Sequence, residues 1–415
     1  MRESEFVRHI RLAGGRIAVV GGWVRDSLRG VEPKDKDYVI SGISEEVFLS
    51  LFPKAQKVGR SFPVFLLCVD GKSSEIAFAR TERKKGKGYR GFCVRSNPRI
   101  TLEDDLSRRD TTINAMALEL FADGASPRLI DLFGGKEDVE RGVIRAVSSC
   151  FAEDPVRALR AARQAATFGY DIEPCTIRYM KSCREELAGE PRERILAELS
   201  RALAAPCPSV FFRSLLSANL LDLIFPEIFA LIGKTQPKEF HPEGDAFEHT
   251  MATVDAVAKR TGNLVVRFAA LVHDIGKGVT PEEMLPHHYG HEVKGLAVLA
   301  RWDDRMGFPK LWRRVADFVI AEHMRAPRLE KPGKIADFLM RLSRLPAPIQ
   351  DVLQIFLVDH GGLPPYLEHS ELLIGKLLSV SGNDAPENLH GEAIGAWIRA
   401  QRTRCIQEAK RNWRH

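Results

Sequence analysis

Arg16-Ile17-Ala18-Val19-Val20-Gly21-Gly22-Trp23-Val24-Arg25-Asp26, followed ten residues after Arg25 by Asp35-Lys36-Asp37-Tyr38-Val39-Ile40, sets the reading of the whole chain. A β-branched run ends in two glycines and a helix-like VRDSLRG begins. Two glycines let the backbone approach a phosphate, and a helix start offers free N–H groups to an anion. Arg25 adds a positive charge one turn in. On a strand, residues i and i+2 share a face, so Asp35 and Asp37 project two carboxylates together. That pair repels itself unless cations lie between the groups. Mg²⁺ prefers hard oxygen ligands and completes its shell with phosphate oxygens and water. Two such ions activate a hydroxyl nucleophile and stabilise a leaving pyrophosphate. A GG turn alone is mostly structural and a lone DxD is usually a solvated pair; their succession carries the chemistry.

Outward from this stretch, residues 16 to about 140 alternate short β-like runs with polar loops: RIAVVGG, KDYVIS, FPVFLLCV and SEIAFAR. Helical stretches such as SEEVFLSLF intervene, which suggests an α/β domain around one sheet. Glu75, on the last of those runs, is a candidate third carboxylate. Arg80 to Arg99 carries eight basic residues against one acid, Glu82, with glycines at 86, 88 and 91, and reads as a flexible, strongly positive loop suited to phosphate. A merely solvated loop is the alternative. Arg108-Arg109-Asp110-Thr111-Thr112-Ile113-Asn114 places two arginines before a buried-looking helix, which suits a triphosphate clamp. In Glu153-Asp154-Pro155-Val156-Arg157, Asp154 and Pro155 look like an N-cap and first helical residue. Asp154 and Arg157 lie three apart, on one face, and together offer acceptors and donors to the edge of a base. Arg160 and Arg163 continue that stripe.

The chain has 415 residues, 44% hydrophobic and 28% charged, with a net charge of +6, enough for two to four packed domains and unlike a disordered chain. No apolar run approaches the ~18 residues that span a bilayer, so no membrane partner is expected. The N-terminus has no secretory h-region. Seven cysteines without a CxxC pair read as reduced thiols, and the expected location is cytoplasmic. From about 153 to 235 apolar residues recur at helical spacing; Gly233 to Ala246 is a polar linker; beyond it the chain is helical to its end. The last helix, from about 394, is basic through Arg399, Arg402, Arg404, Lys410, Arg411 and Arg414, either a solvated face or an RNA contact.

The motifs GGWVRDSLRG, KDKDYVI, ARTERK, RRDTTINAMAL and EDPVRALRAARQAATFGY, in this order, resemble the class II tRNA nucleotidyltransferases, the CCA-adding enzymes of the polymerase β superfamily. The resemblance covers the first two-thirds of the chain. It implies that Asp35 and Asp37 bind the catalytic Mg²⁺ ions, and that Gly22, Arg25, Arg109, Arg160 and Arg163 hold the incoming ATP or CTP. Asp154 and Arg157 match that family's protein template for choosing C and A. The implied reaction adds C, C and A to a tRNA 3′ end, with the terminal ribose hydroxyl as nucleophile.

Seven of the twelve histidines fall between His241 and His323, a density that core packing rarely produces. His249, the pair His273-Asp274, His291, His323 and Asp359 form a series H…HD…H…H…D. Imidazole with carboxylate suits transition metals such as Ni, Mn, Co or Fe. The series resembles the HD phosphohydrolase domain, which occurs as the tail of one bacterial subgroup of CCA-adding enzymes. It implies phosphatase, 2′-nucleotidase and 2′,3′-cyclic phosphodiesterase activities with Ni²⁺ or another divalent transition metal on those six residues. Lys277 is placed to hold a substrate phosphate, while His287 and His288 line the site or face solvent.

The expected fold class is α+β: a nucleotidyltransferase head with a mixed β-sheet (1–140), an all-helical neck and body that selects the nucleotide and binds tRNA (141–240), an HD tail (241–365) and a C-terminal helical segment (366–415). The chain is expected to act as a monomer or homodimer. Two other readings compete. An A-adding or poly(A) polymerase specialist shares the head; a CC-only enzyme does not fit the basic loop. A phosphohydrolase with a head that only binds RNA conflicts with the intact Asp35 and Asp37.

Overall fold

The computed structural model describes residues 1–59, 64–84, 86, 92–122, 125–237, 239 and 241–413. They fall into two compact units, Met1–Glu198 with Val210–Leu223, and Leu199–Ser209 with Ile224–His415.

The first unit holds the sheet. Its strands are β1 (Arg16–Val20), β2 (Tyr38–Ser41), β3 (Gln56–Val58), β4 (Val64–Val69), β5 (Lys72–Phe78), β6 (Arg80–Lys84), β7 (Phe92–Ser96), β8 (Met116–Leu120) and β9 (Arg128–Asp131). Seven of them form one sheet in the order β3-β4-β5-β2-β1-β8-β9. Only β2 and β5 run parallel among its pairings, so the sheet is mixed. Alternation along β1 and β2 dresses both faces. Phe6, Tyr38, Phe48, Phe52 and Phe65 stack edge-on or tilted beneath one face. Ala18, Val20, Val39 and Ala117 pack on the other with Leu102 and Leu106 of the helix Leu102–Ser107.

Two expectations for this unit change. The buried-looking helix expected after Arg108-Arg109 is instead a short 3₁₀ turn (Thr112–Asn114) that leads into β8. The basic segment is a hairpin at its base, β6 pairing antiparallel with β7; charged side chains do not hinder strands whose backbones supply the bonds. The flexibility expected of its middle falls on residues 85 and 87–91, outside those described. The stretch after the head is helical except for one two-residue parallel ladder, Val143–Ile144 with Asp171–Ile172.

Glu119 on β8 is only 2% exposed and receives Arg11, Arg16 and Arg128. Burial alone would raise its pKa, but these hydrogen bonds outweigh it and hold it at about 2. A carboxyl depressed in the fold contributes stability above its unfolded pKa, about 4.3, and loses it as pH falls toward the folded value. The melting temperature of Glu119→Gln is therefore expected to fall less steeply than that of the unmodified chain between about pH 4.3 and 2. Parallel curves in calorimetry would refute this.

The second unit is helical. Asp245 caps Ala246–Ala258 by accepting from Phe247 N and Glu248 N, and Asn263 caps Leu264–Val272 in the same way. Phe268, Trp302, Phe308 and Trp312 form its aromatic core. The segment expected as a linker folds back instead: Gln236 N–H bonds Gly244 O at 3.1 Å and Gln236 is buried. The last helix, Glu392–Asn412, belongs to this unit and lies along Pro332–Leu342, where a Cβ on Gly333 would stand 3.4 Å from Thr403 Oγ1.

Candidate functional site

The first centre is built at one end of the sheet. Val20 N–H bonds Asp37 O at 3.1 Å, and the register pairs Val19 with Tyr38 and Tyr38 with Ile76. The glycine turn after β1, Asp37 before β2 and Glu75 within β5 therefore meet. Asp35 and Asp37 stand in the extended segment just ahead of β2 rather than inside the ladder. Gly21 has φ 66°, and a Cβ there would lie 3.1 Å from Arg109 Nη1, so the turn needs glycine. Burial, then Glu75 and Asp35, raise the pKa of Asp37, while Arg109 opposes them. Asp35, Asp37 and Glu75 thus stand close together and offer hard oxygens, the kind of donor Mg²⁺ prefers.

Each arginine singled out in this unit is fixed by a partner. Arg25 Nε and Nη2 donate to Asp26 at 3.0 and 2.9 Å, and its Nη1 donates to Asn114 Oδ1 at 2.6 Å. A Cβ on Gly22 would be 3.4 Å from Arg25 Nη2. Arg109 donates to Asp105 Oδ2 and to Asn114 O. Arg160 Nε donates to buried Asp110 at 2.8 Å, and Arg163 Nε to Glu198 at 2.6 Å. Burial would raise Asp110, but Arg160 holds it far below the usual carboxylate range. Gln164 also donates to Asp110, and Arg157 Nη2 donates to Arg108 O at 2.7 Å. The helix Val156–Phe168 is thereby pinned to the Arg108–Thr112 segment. Pro155 takes the cap position expected for Asp154; Asp154, one residue earlier, accepts from Val156 N at 3.3 Å and takes both bonds of Arg194 Nη2 at 3.0 Å. Arg194, Asp110 and Glu198 were not legible as partners, since each is matched only in three dimensions, whereas Asp105 stands three and four residues before the arginines it holds.

The second centre gathers all six residues of the histidine series. His249 Nε2 lies 3.1 Å from Asp359 Oδ1 and 3.7 Å from Asp274 Oδ2. His273 Nε2 is 3.3 Å from Asp274 Oδ2 and 3.7 Å from Asp359 Oδ1. His291 and His323 approach Asp274 Oδ1 at 3.2 and 3.3 Å, and their Nε2 atoms are 3.1 Å apart. His249, His273 and Asp274 form one group of ligand atoms within 4.8 Å of one another, and Asp274, His291 and His323 form a second, with Asp274 in both. His273 Nε2, both Asp274 oxygens and Asp359 Oδ2 are buried and make no hydrogen bond of good geometry among the described residues, although Lys277 and the neighbouring rings stand within ion-pair distance of them. Inward-aimed imidazole nitrogens converging on carboxylate oxygens are a donor set that fits a divalent metal. The ring Nδ1 atoms of His273, His291 and His323 face the backbone carbonyls of Ala270, His288 and Ile320, which aims each Nε2 inward. Burial would lower His273, yet Asp274 and Asp359 push it up to about 10.

The turn that carries His273 and Asp274 is tight. A Cβ on Gly276 would stand 1.9 Å from His291 O, so glycine alone lets this turn reach the start of His291–Met306. Lys277, expected to hold a substrate phosphate, lies at the wall of the hollow above this centre. It is buried, with its ammonium 2.5 Å from Asp274 Oδ2 and from Gln236 Oε1. Above the centre lies a hollow of about 770 Å³ that His287 and His288 line, together with Gln236, His241 and Arg328. His241, which sequence reasoning passed over, packs its ring 4.6 Å from that of His249 and leaves Nδ1 unpartnered. His360 Nε2, also missed, lies 3.2 Å from Asp359 Oδ2.

Fold and sites define the class: a polymerase-type head whose acidic centre faces a glycine turn, on one chain with a histidine–aspartate metal centre. Residues 17–145 match the poly A polymerase head domain, 169–232 the probable RNA and SrmB-binding site of polymerase A, and 246–357 the HD domain. The chain belongs to the multifunctional CCA protein family: it is 39% identical to the multifunctional CCA protein of Nitrosococcus oceani, over 95% of this chain and 98% of that one. The Methylococcus capsulatus protein of the same name is 40% identical over 94% of each chain. The crystal structure of the Bacillus stearothermophilus CCA-adding enzyme in complex with CTP superposes with a TM-score of 0.67 over 99% of this chain and 97% of that one, at 23% identity. Among the described residues no helix is long and apolar enough to cross a membrane.

Proposed function

We propose that this chain adds C, C and A to the 3′ end of tRNA from CTP and ATP, and that its second centre is a phosphohydrolase acting as 2′,3′-cyclic phosphodiesterase, 2′-nucleotidase and phosphatase. The observation that carries the first activity is the convergence of Asp35, Asp37 and Glu75 on the Gly21–Gly22 turn. The terminal ribose oxygen forms a bond to the α-phosphorus and gives up its proton to solvent as the α–β bond breaks and pyrophosphate leaves. Asp35 and Asp37, with Glu75 beside them, would hold Mg²⁺, which would supply charge for the nucleophile and the leaving group. Gly22, Arg25, Arg109, Arg160 and Arg163 hold the triphosphate. Asp154 and Arg157 read the base; Arg194 holds Asp154 in place, and Asp154 Oδ2, which among the described residues accepts only from Arg194, keeps a lone pair for a donor on the base. The four segments 1–140, 141–240, 241–365 and 366–415 are the functional divisions of this reading.

For the second centre, His249, His273, Asp274, His291, His323 and Asp359 would hold Ni²⁺ or another divalent transition metal, which supplies a polarised phosphoester and an activated water. His241 and Arg328 lie where a phosphoester would enter. Both activities fit a cytoplasmic RNA enzyme. The deciding assay incubates tRNA lacking its 3′ end with CTP, ATP or both, and reads product length. Three added residues with both nucleotides is the expected result. Addition of A alone, and only to tRNA already ending in CC, would replace this reading with an A-adding specialist.

A further inference from the structure

We propose that the groove between the helices Pro332–Leu342 and Glu392–Asn412 is a binding site for the phosphate backbone of RNA; the inference rests on the tRNA-directed reading above. The groove measures about 760 Å³, and its walls carry Lys331, Lys334, Arg344, Arg399 and Arg402. Arg325 and Arg341 face it too, and among the described residues Asp337 is the one carboxylate on its wall. Arg325 and Arg341 both reach Glu322 behind it, each at 2.6 Å. Seven positive charges against Asp337 and Glu322 leave a local net of +5, close to the +6 of the entire chain. Like charges at this density repel one another, so the arrangement stabilises a bound polyanion rather than the fold.

What the cations touch supports the same occupant. Lys331, Lys334, Arg344 and Arg399 are exposed, and none has an ion-pair partner among the described residues. Arg402 spends one N–H on Leu377 O, a neutral acceptor, and keeps its charge. A neighbouring hollow of about 540 Å³ shares Arg341 and Arg344 and adds Arg314, so the positive surface is extended rather than a single pocket. A small anion needs one clamp; a row of cations along two helices suits successive phosphates. A protein partner would need apolar anchors, and the apolar residues on the wall, Ala336 and Met340, are buried. The groove also adjoins the hydrolytic centre. In the turn after Lys310–Glu322, Arg325 faces the groove, His323 faces the metal ligands, and Met324 and Arg328 line the hollow above them.

The test is tRNA binding by the full chain carrying Lys334→Glu with Arg399→Glu, measured by filter binding at several salt concentrations. Neither residue belongs to either catalytic centre. Affinity at low salt is expected to fall roughly tenfold, and the slope of log affinity against log salt to shrink by about 1.5, as for two lost phosphate contacts. Lys334→Gln with Arg399→Gln should shrink the slope similarly with a smaller loss of affinity. An unchanged melting temperature and unchanged hydrolysis of free 2′,3′-cyclic AMP show that the unit is intact. Affinity and slope equal to the unmodified chain, in a protein that still extends tRNA, would overturn the groove and leave the functional reading standing. Failure of the unmodified chain to bind or extend tRNA would instead overturn that reading, and the groove with it.

Discussion

Replacing Asp35 and Asp37 together with Ala is expected to lower nucleotide addition at least about 10³-fold while the chain stays folded and hydrolysis at the second centre is unchanged. The loss follows from the donor set. Without these carboxylates Glu75 alone remains at the sheet end, and it cannot hold a cation against the surrounding arginines. Folding should not suffer. Burial and two like charges already disfavour the ionised form of Asp37, so its charge costs stability at neutral pH. The expected melting temperature of the double variant is therefore equal to or above that of the unmodified chain, as at other sites where function is bought with local strain. Primer-extension and calorimetry on one preparation test both halves. Retained addition would remove Asp35 and Asp37 from the active site; loss of hydrolysis would show that the centres are not separable.

How far the sequence could be read depended on whether the deciding physics was local. RIAVV and VFLLCV are β-branched or apolar runs bounded by turn residues, and both are strands. Met116-Ala-Leu-Glu-Leu120 is made of helix formers, yet it lies between β1 and β9, where pairing and burial on both faces override propensity. Gln56–Val58 was missed because an edge strand with three exposed residues shows no alternation. The six residues of the histidine series were legible because a metal site demands particular side chains, and the structure brings all six together. What held them was not legible. Gln236 and His241 sit in an irregular segment with no period to read, and only its closure by the Gln236–Gly244 bond places them at the centre. Lys277 illustrates the same limit: it reads as a cation for a substrate phosphate, and its burial beside Asp274 as that carboxylate's counter-ion is visible only in the fold. Asp110 and Glu198, which orient Arg160 and Arg163, are distant from them in sequence, and a single chain carries no record of such pairs.

Asp274→Ala should abolish hydrolysis and metal binding at the second centre and also destabilise the unit by about 3–5 kcal/mol in the metal-free protein. Asp274 is 1% exposed and receives Lys277, His273, His291 and His323 within 3.3 Å. Lys277 is 3% exposed, so removing the carboxylate strands a buried ammonium whose remaining partner is the neutral Gln236. Burial would raise Asp274, yet Lys277 and His273 hold it well below the usual carboxylate range, the signature of a charge on which its neighbours depend. The two losses have different causes and can be separated. Adding Lys277→Met to Asp274→Ala removes the stranded charge and should recover most of the stability, because contacting residues couple non-additively. It should recover neither bound metal nor hydrolysis, since both ligand groups still lack the aspartate they share. Thermal unfolding, metal content after dialysis against Ni²⁺, and hydrolysis of 2′,3′-cyclic AMP read the three quantities independently. Hydrolysis by the double variant would show that Asp274 is a structural counter-ion and not a ligand; a double variant no more stable than Asp274→Ala would show that Lys277 is not what the carboxylate stabilises.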